Sequence, residues 1–242
     1  MVIALAVVSV AAVFANMLLR LRGPSWSAFA CKTASGVLFC VFGGVGLWRI
    51  GHLPPGTDRD GWWALAVLVA VGLVGGLGGD IALALKDLVK SAYNRCLMLG
   101  FILFALGHVA YVAGLLLGWR TPFPWVPILV CGLIAVAFVV SDKVLHLNFG
   151  RFKWVVATYA TLLAMLPAMA FFTLATGTHP LGADVLVQPA IMAAAGVCFV
   201  FSDLILAWTY FGPSQDRGWE HTLCYVFYYA AQFGIAASLL FL

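Results

Sequence analysis

Charge is what this sequence has least of. Only 9% of its 242 residues are Asp, Glu, Lys or Arg, against 64% hydrophobic, whereas an ordinary soluble domain carries about 25% charged residues. That shortage excludes a water-soluble fold. Also missing is any C-x-x-C pair among the six cysteines, and any H-x-x-x-H or H-E-x-x-H pair among the five histidines. The spacing of a dithiol redox centre or a three-ligand zinc site is therefore absent. Cys31, Cys40, Cys96, Cys131, Cys198 and Cys224 all fall in or beside apolar stretches, where a thiol behaves as a small hydrophobe. The first apolar stretch lacks a basic n-region and an A-x-A-like site, and so reads as a span and not as a cleaved signal.

What is there is a succession of apolar stretches, each near the roughly 20 residues that cross a bilayer core. They run about 2–19, 27–50, 62–85, 95–117, 125–145, 152–176, 186–208 and 222–242. This predicts an all-α, polytopic integral membrane protein with eight transmembrane helices in a single domain, 1–242. Short connections are expected at Gly23-Pro24, Pro54-Pro55-Gly56, Pro122-Phe123-Pro124 and Gly212-Pro213, which cannot continue a helix.

The net charge of +4 reports topology and not a nucleic-acid partner. Arg20, Arg22, Lys32, Lys86, Lys90, Arg95, Lys143, Arg151, Lys153 and Arg217 lie at or near odd-numbered loops, and only Arg49, Arg59 and Arg120 at even ones. Under the positive-inside rule the odd loops face the cytoplasm and both termini lie on the far side. A bacterial inner (plasma) membrane is the expected location.

Polar residues recur near the ends of the odd helices. Asn16 in Ala15-Asn16-Met17, Asp80 in Gly79-Asp80-Ile81, Asp142 in Ser141-Asp142-Lys143 and Asp203 in Ser202-Asp203-Leu204 are spaced by 64, 62 and 61 residues. Such weak internal symmetry suggests four αα-hairpin repeats. It also sets the three carboxyls at similar depth, about three to six residues before the cytoplasmic helix ends. An ionisable group inside a span costs about 2.5–3.5 kcal/mol on insertion scales and marks a functional position by default. Asp142, beside Lys143, also reads as an interfacial pair.

The even helices add Lys32 and Thr33, His108 and Tyr111, Thr158 and Tyr159, then Tyr225, Tyr228, Tyr229 and Gln232. The i, i+3 spacing puts His108 with Tyr111, and Tyr229 with Gln232, on one helix face. Packing or aromatic-belt roles are the plainer reading of the tyrosines, and a lone buried histidine is more often a helix contact than a ligand.

Lys32, Gly79-Asp80, Gly100-Phe101…Phe104…Gly107-His108…Tyr111, Tyr159, Gly196…Phe199…Ser202-Asp203 and Tyr228-Tyr229…Gln232 together resemble the YhhN-like lysoplasmalogenases, eight-helix membrane hydrolases. The resemblance runs nearly end to end. It implies cleavage of the vinyl ether bond of a lysoplasmalogen, an alkenyl-glycerophosphoethanolamine or -choline, to a fatty aldehyde and a glycerophospho-base, with no cofactor; that no metal is expected follows from the histidine spacing alone. It carries Asp80 and Asp203 over as catalytic, while Asp142 lies where the family is not known to need an acid.

A vinyl ether hydrolyses by protonation of its β-carbon, giving an oxocarbenium ion that water captures as a hemiacetal. Two carboxyls in one low-dielectric site do not both ionise readily, so acid and base roles separate, as they do in a glycosidase. His108, Tyr111, Tyr159, Tyr229, Gln232 and Ser202 are expected to orient the acids or the water. Lys32, Arg95 and Lys153 are expected to meet the substrate phosphate, with snorkelling to lipid headgroups the alternative for each. The expected partners are a lysophospholipid substrate and membrane lipids, with room for a homodimer. The competing reading is a proton-coupled membrane transporter, because acids at matched depth also mark ion pathways. Against it, a carrier site belongs near the midplane and these acids lie toward one surface.

Overall fold

The computed structural model describes residues 2–53, 59–119, 125–145, 147–177, 186–213 and 218–242, without the side chains of residues 2, 59, 60, 138, 141, 142, 145 and 218. The expected turns at Pro54-Pro55-Gly56 and Pro122-Phe123-Pro124, and the topology markers Arg120 and Arg217, lie outside the described residues.

The described chain forms eight α-helices: α1 (Val2–Leu21), α2 (Trp26–Gly51), α3 (Arg59–Leu88), α4 (Tyr93–Trp119), α5 (Trp125–Leu145), α6 (Lys153–Thr176), α7 (Val187–Phe211) and α8 (Gly218–Ser238). Seven of them are long and apolar enough to cross a membrane, while α5 contributes the shorter apolar stretch Trp125–Ala137. The protein is an integral membrane protein. Where the chain turns, the local chemistry is as the sequence suggests. Gly23 takes φ +100, a left-handed conformation that costs glycine little, just before the Ser25 side chain caps α2 by accepting from the Ala28 amide at 3.2 Å. Gly177 closes α6 at φ +61, and α7 gives way at Gly212 to extended backbone.

Six helices close a ring in the order α2, α3, α4, α6, α7, α8 and back to α2. Outside it, α1 lies against α2 and α8, and α5 leans on α6. Each consecutive pair packs together, most extensively α3 with α4 and α7 with α8. Glycine makes the α3–α4 contact possible, as small residues do at membrane helix interfaces: a Cβ on Gly107 would lie 2.9 Å from the Gly72 carbonyl oxygen, and one on Gly75 only 3.1 Å from the Gly107 Cα. The same glycine face of α3 makes room for functional rings, since a Cβ on Gly79 would meet the Phe104 ring at 2.6 Å and one on Gly72 would overlap Tyr111. In α6, Pro167 interrupts the helix interior and seats on Gly196 of α7.

One expectation about depth changes. Both α3 and α7 run three residues beyond their apolar stretches, to Leu88 and Phe211. Asp80 and Asp203 each stand eight residues before their helix ends, about 12 Å at 1.5 Å per residue, whereas Asp142 is three residues from the end of α5. The helices outlast the apolar windows because amphipathic rim residues such as Lys86, whose stem packs on apolar surface, keep the last turn helical.

Candidate active site

The six helices of the ring bring their polar residues together toward one end. Asp80 is 2% exposed. Its Oδ1 pairs with the Lys32 ammonium of α2 at 3.0 Å, and its Oδ2 accepts from the Tyr228 hydroxyl of α8 at 2.8 Å. The bonds then continue inward in one direction. Gln232 Nε2 donates to the Tyr228 oxygen at 3.0 Å, and the Tyr111 hydroxyl donates to Gln232 Oε1, also at 3.0 Å. Donors facing the same way polarise one another, so the chain from Tyr111 to Asp80 concentrates positive potential on that carboxylate.

Asp203 has different company. The Tyr159 hydroxyl of α6 donates to its Oδ2, and no ion pair reaches it among the described residues. It is half-buried where Asp80 is buried. Next to it, Ser202 packs against Cys224, with Oγ and Sγ 3.5 Å apart.

Asp80 and Asp203 line one cavity, of about 860 Å³ of empty space, together with Asn16, Lys32, Tyr159, Ser202 and Tyr228. Its mouth carries Arg20, Pro24, Asp87, Tyr210 and His221, all from the end at which α1, α3 and α7 finish and α2 and α8 begin. There Asp87 is held by Arg20 at 2.7 Å and by Lys86, and the Lys86 ammonium lies over the rings of Tyr210, at 4.6 Å, and Tyr93, at 5.0 Å. Farther from the mouth the interior holds fully buried Leu65, Val69, Leu73, Leu115 and Ile235.

A second cavity, of about 600 Å³, lies on the other side of Asp203 and Tyr159, which line both. Its remaining walls are apolar residues of α4, α5, α6 and α7 with the Tyr210 ring. Asp203 and Tyr159 therefore stand at the border between a polar chamber and an apolar one.

The remaining expected site residues fall into three groups. His108 is 1% exposed and donates from Nδ1 to the Phe104 carbonyl at 2.8 Å, because a carbonyl only accepts. That leaves Nε2 as a buried acceptor without a hydrogen-bond partner among the described residues, in an aromatic box formed by Phe199, Tyr159 and Tyr111 at ring distances of 4.7, 5.5 and 5.6 Å. His108 thus touches the phenols that serve both acids and neither carboxyl itself. Tyr229 turns away from Asp80 and accepts from Asn16 at 3.2 Å; its neighbour Tyr228 makes the acid contact. Arg95 and Lys153 are not brought to the cavity: Arg95 is exposed in a separate cleft with Arg151 and Phe152, and Lys153 opens α6 half-exposed. Arg20 and Asp87 stand at the mouth instead. In the sequence Arg20 reads only as a topology marker at the end of α1, and Asp87, an acid beside Lys86, carries no signal of its own. Asn16, aligned with the acids in the repeat, does reach the cavity, and the Asp142 side chain lies outside the described residues.

Among the described residues no three His, Cys, Asp or Glu side chains converge as a metal site would require. What the arrangement offers is acid–base chemistry: one carboxyl matched by a cation, and a second without one, in a single cavity. The sequence model of the YhhN family matches residues 59–239 of the chain. No curated protein and no solved structure matches it.

Proposed function

The chain belongs to the YhhN family, and from that membership and its two-carboxyl cavity we propose that it is a lysoplasmalogenase-like membrane hydrolase. Its substrate is an alkenyl lysophospholipid of the ethanolamine or choline type, and its reaction is vinyl ether plus water to fatty aldehyde plus glycerophospho-base. The observation that carries the reading is the unequal pair, Asp80 and Asp203, on one cavity.

The inequality supports separate roles. With Lys32 at 3.0 Å and Tyr228 at 2.8 Å, Asp80 is built to remain a carboxylate. Asp203, which has the Tyr159 phenol and Ser202 as hydrogen-bond partners and no cation among the described residues, is the carboxyl that carries a proton and delivers it to the β-carbon of the vinyl ether. Positive charge then develops on the carbon bound to the ether oxygen. Asp80 stabilises that charge and accepts a proton from the attacking water, so a hemiacetal forms. Collapse of the hemiacetal passes the proton held by Asp80 to the departing glycerol oxygen and the hydroxyl proton to Asp203, which releases the aldehyde and restores both carboxyls. Preorganised charges of this kind act strongly because water is largely excluded. Tyr159 orients the acid, Tyr228 and Gln232 orient the base, and His108 keeps the phenols in place. At the mouth, Arg20 takes the role of phosphate ligand that the sequence assigned to Lys32, Arg95 and Lys153, Lys32 being paired with Asp80 instead.

The transporter reading finds less support, since on the face of α3 beyond Asp80 the buried side chains of Leu73, Val69 and Leu65 are apolar. Purified protein given an alkenyl lysophospholipid is expected to release aldehyde. Asp80→Asn and Asp203→Asn should each lower the rate by about 100-fold or more, the scale of a lost general acid or base. Undiminished release from both variants would overturn the assignment. The active-site mouth is proposed to face the cytoplasm of a bacterial inner membrane.

A further inference from the structure

The apolar cavity beside Asp203 has no part in the proton chemistry, yet it shares a wall with it. Its lining includes Ile134 of α5, Ala160, Leu163 and Ala164 of α6, and Val200 and Ala207 of α7. Ala160 and Ala164 of α6 and Ala207 of α7 leave width among the larger side chains there. Ile134 is 42% exposed and Leu204, on the same cavity, 49%. Because α5 packs closely only on α6 among the described residues, the cavity opens sideways between α5 and α7 toward the lipid.

We propose that this groove is the subsite for the single hydrocarbon chain of the substrate, which slides in laterally between α5 and α7. The inference rests on the hydrolase reading for its choice of substrate, and its geometry is independent of it. A lysolipid is polar at one end and apolar at the other, and so are the two chambers. Lys32, Arg20 and Asp87 belong to the polar chamber, while the groove is apolar save for the shared border residues and Tyr210. In an alkenyl lysolipid the vinyl ether is the joint between chain and glycerol. Lying across both chambers, the molecule puts that joint at the border, beside Asp203 and Tyr159. Chain recognition and placement of the scissile bond are then one event, because the two vinyl carbons are the first of the chain and the β-carbon stands where the groove meets the acid. Ala160 and Ala207 are the specificity-determining positions, since a large ring at either would fill the groove next to the border.

The test uses the full-length protein in nanodiscs and a saturated hexadecyl ether lysolipid, which cannot be hydrolysed at a vinyl ether, bearing a photoreactive diazirine at the chain end. Irradiation and peptide mapping are expected to place the label on α5, α6 and α7 at the groove, and an unlabelled hexadecenyl lysolipid should compete it away. Label confined to other helices, or indifferent to competition, would overturn the proposal. Ala160→Phe and Ala207→Phe should weaken competition by the hexadecenyl lysolipid about tenfold or more, the scale on which a pocket senses added or missing methylenes. A vinyl analogue, whose two-carbon chain ends at the border, should compete as well with the variants as with wild type, which also reports that they are folded. Equal loss for both chain lengths, or no loss for either, counts against the groove. Competed label in the groove without aldehyde release would sink the hydrolase reading alone, and aldehyde release with label elsewhere would sink the groove alone.

Discussion

Lys32 and Asp80 form an ion pair whose side chains are only 10% and 3% exposed. Removing one partner of a buried pair strands the other charge, at a cost of about 3–5 kcal/mol, whereas removing both is often neutral. Lys32→Met is therefore expected to lower the detergent melting temperature sharply. The double variant Lys32→Met with Asp80→Asn should recover most of that loss and remain inactive. A double variant no more stable than Lys32→Met would show that the pair contributes nothing beyond packing. At this scale the sequence announces which residues matter better than it announces how they face. Lys32, Asp80 and Asp203 stand out because an ionisable group in a span is expensive. Tyr228 and Tyr229 are adjacent and chemically identical, separated by about 100° around the helix, and only packing against α1 and α3 decides that Tyr228 meets the acid and Tyr229 meets Asn16. Arg20 was similarly hidden, because a basic residue at a helix end reads as a headgroup contact until neighbouring helices build a cavity there.

Between elements, α3 depends on having no side chains where α4 crosses it. Adding a methyl at Gly107 places it 2.9 Å from a backbone oxygen that cannot rotate away. Gly107→Ala should cost about 1–3 kcal/mol, the usual range for overpacking. Gly44, exposed in α2 with nothing within 4 Å of an added Cβ, is the control. There Gly→Ala should be neutral or stabilising by up to about 1 kcal/mol through helix propensity alone. Parallel thermal melts decide, and equal effects at both positions would remove glycine packing as the reason α3 and α4 lie so close. Helix existence was legible in the apolar periods. Helix length was less so, since α3 and α7 continue past their hydropathy windows, and the ring order was not legible at all. It depends on which faces carry glycine and small residues, a pattern that an 18- to 20-residue average blurs.

For the whole molecule, charge placement predicts that the cavity mouth, at the ends of α1, α3 and α7, faces the cytoplasm. Alkaline phosphatase fused after residue 242 should then be active in a bacterial host, because it would emerge on the far side, and a fluorescent protein fused there should stay dark. The opposite pattern would turn the mouth outward. The buried pair between α2 and α3 has a further consequence, for biogenesis. Lys32 is the seventh residue of α2, and during synthesis it enters the membrane before Asp80 has been made. A lone lysine deep in a helix is penalised by about 2.5–3.5 kcal/mol at the translocon, and its acid partner arrives only with the next hydrophobic segment. The second and third helices should consequently leave the translocon as a hairpin and not one by one. The same contact that arms the carboxylate would then set the order in which the protein is built.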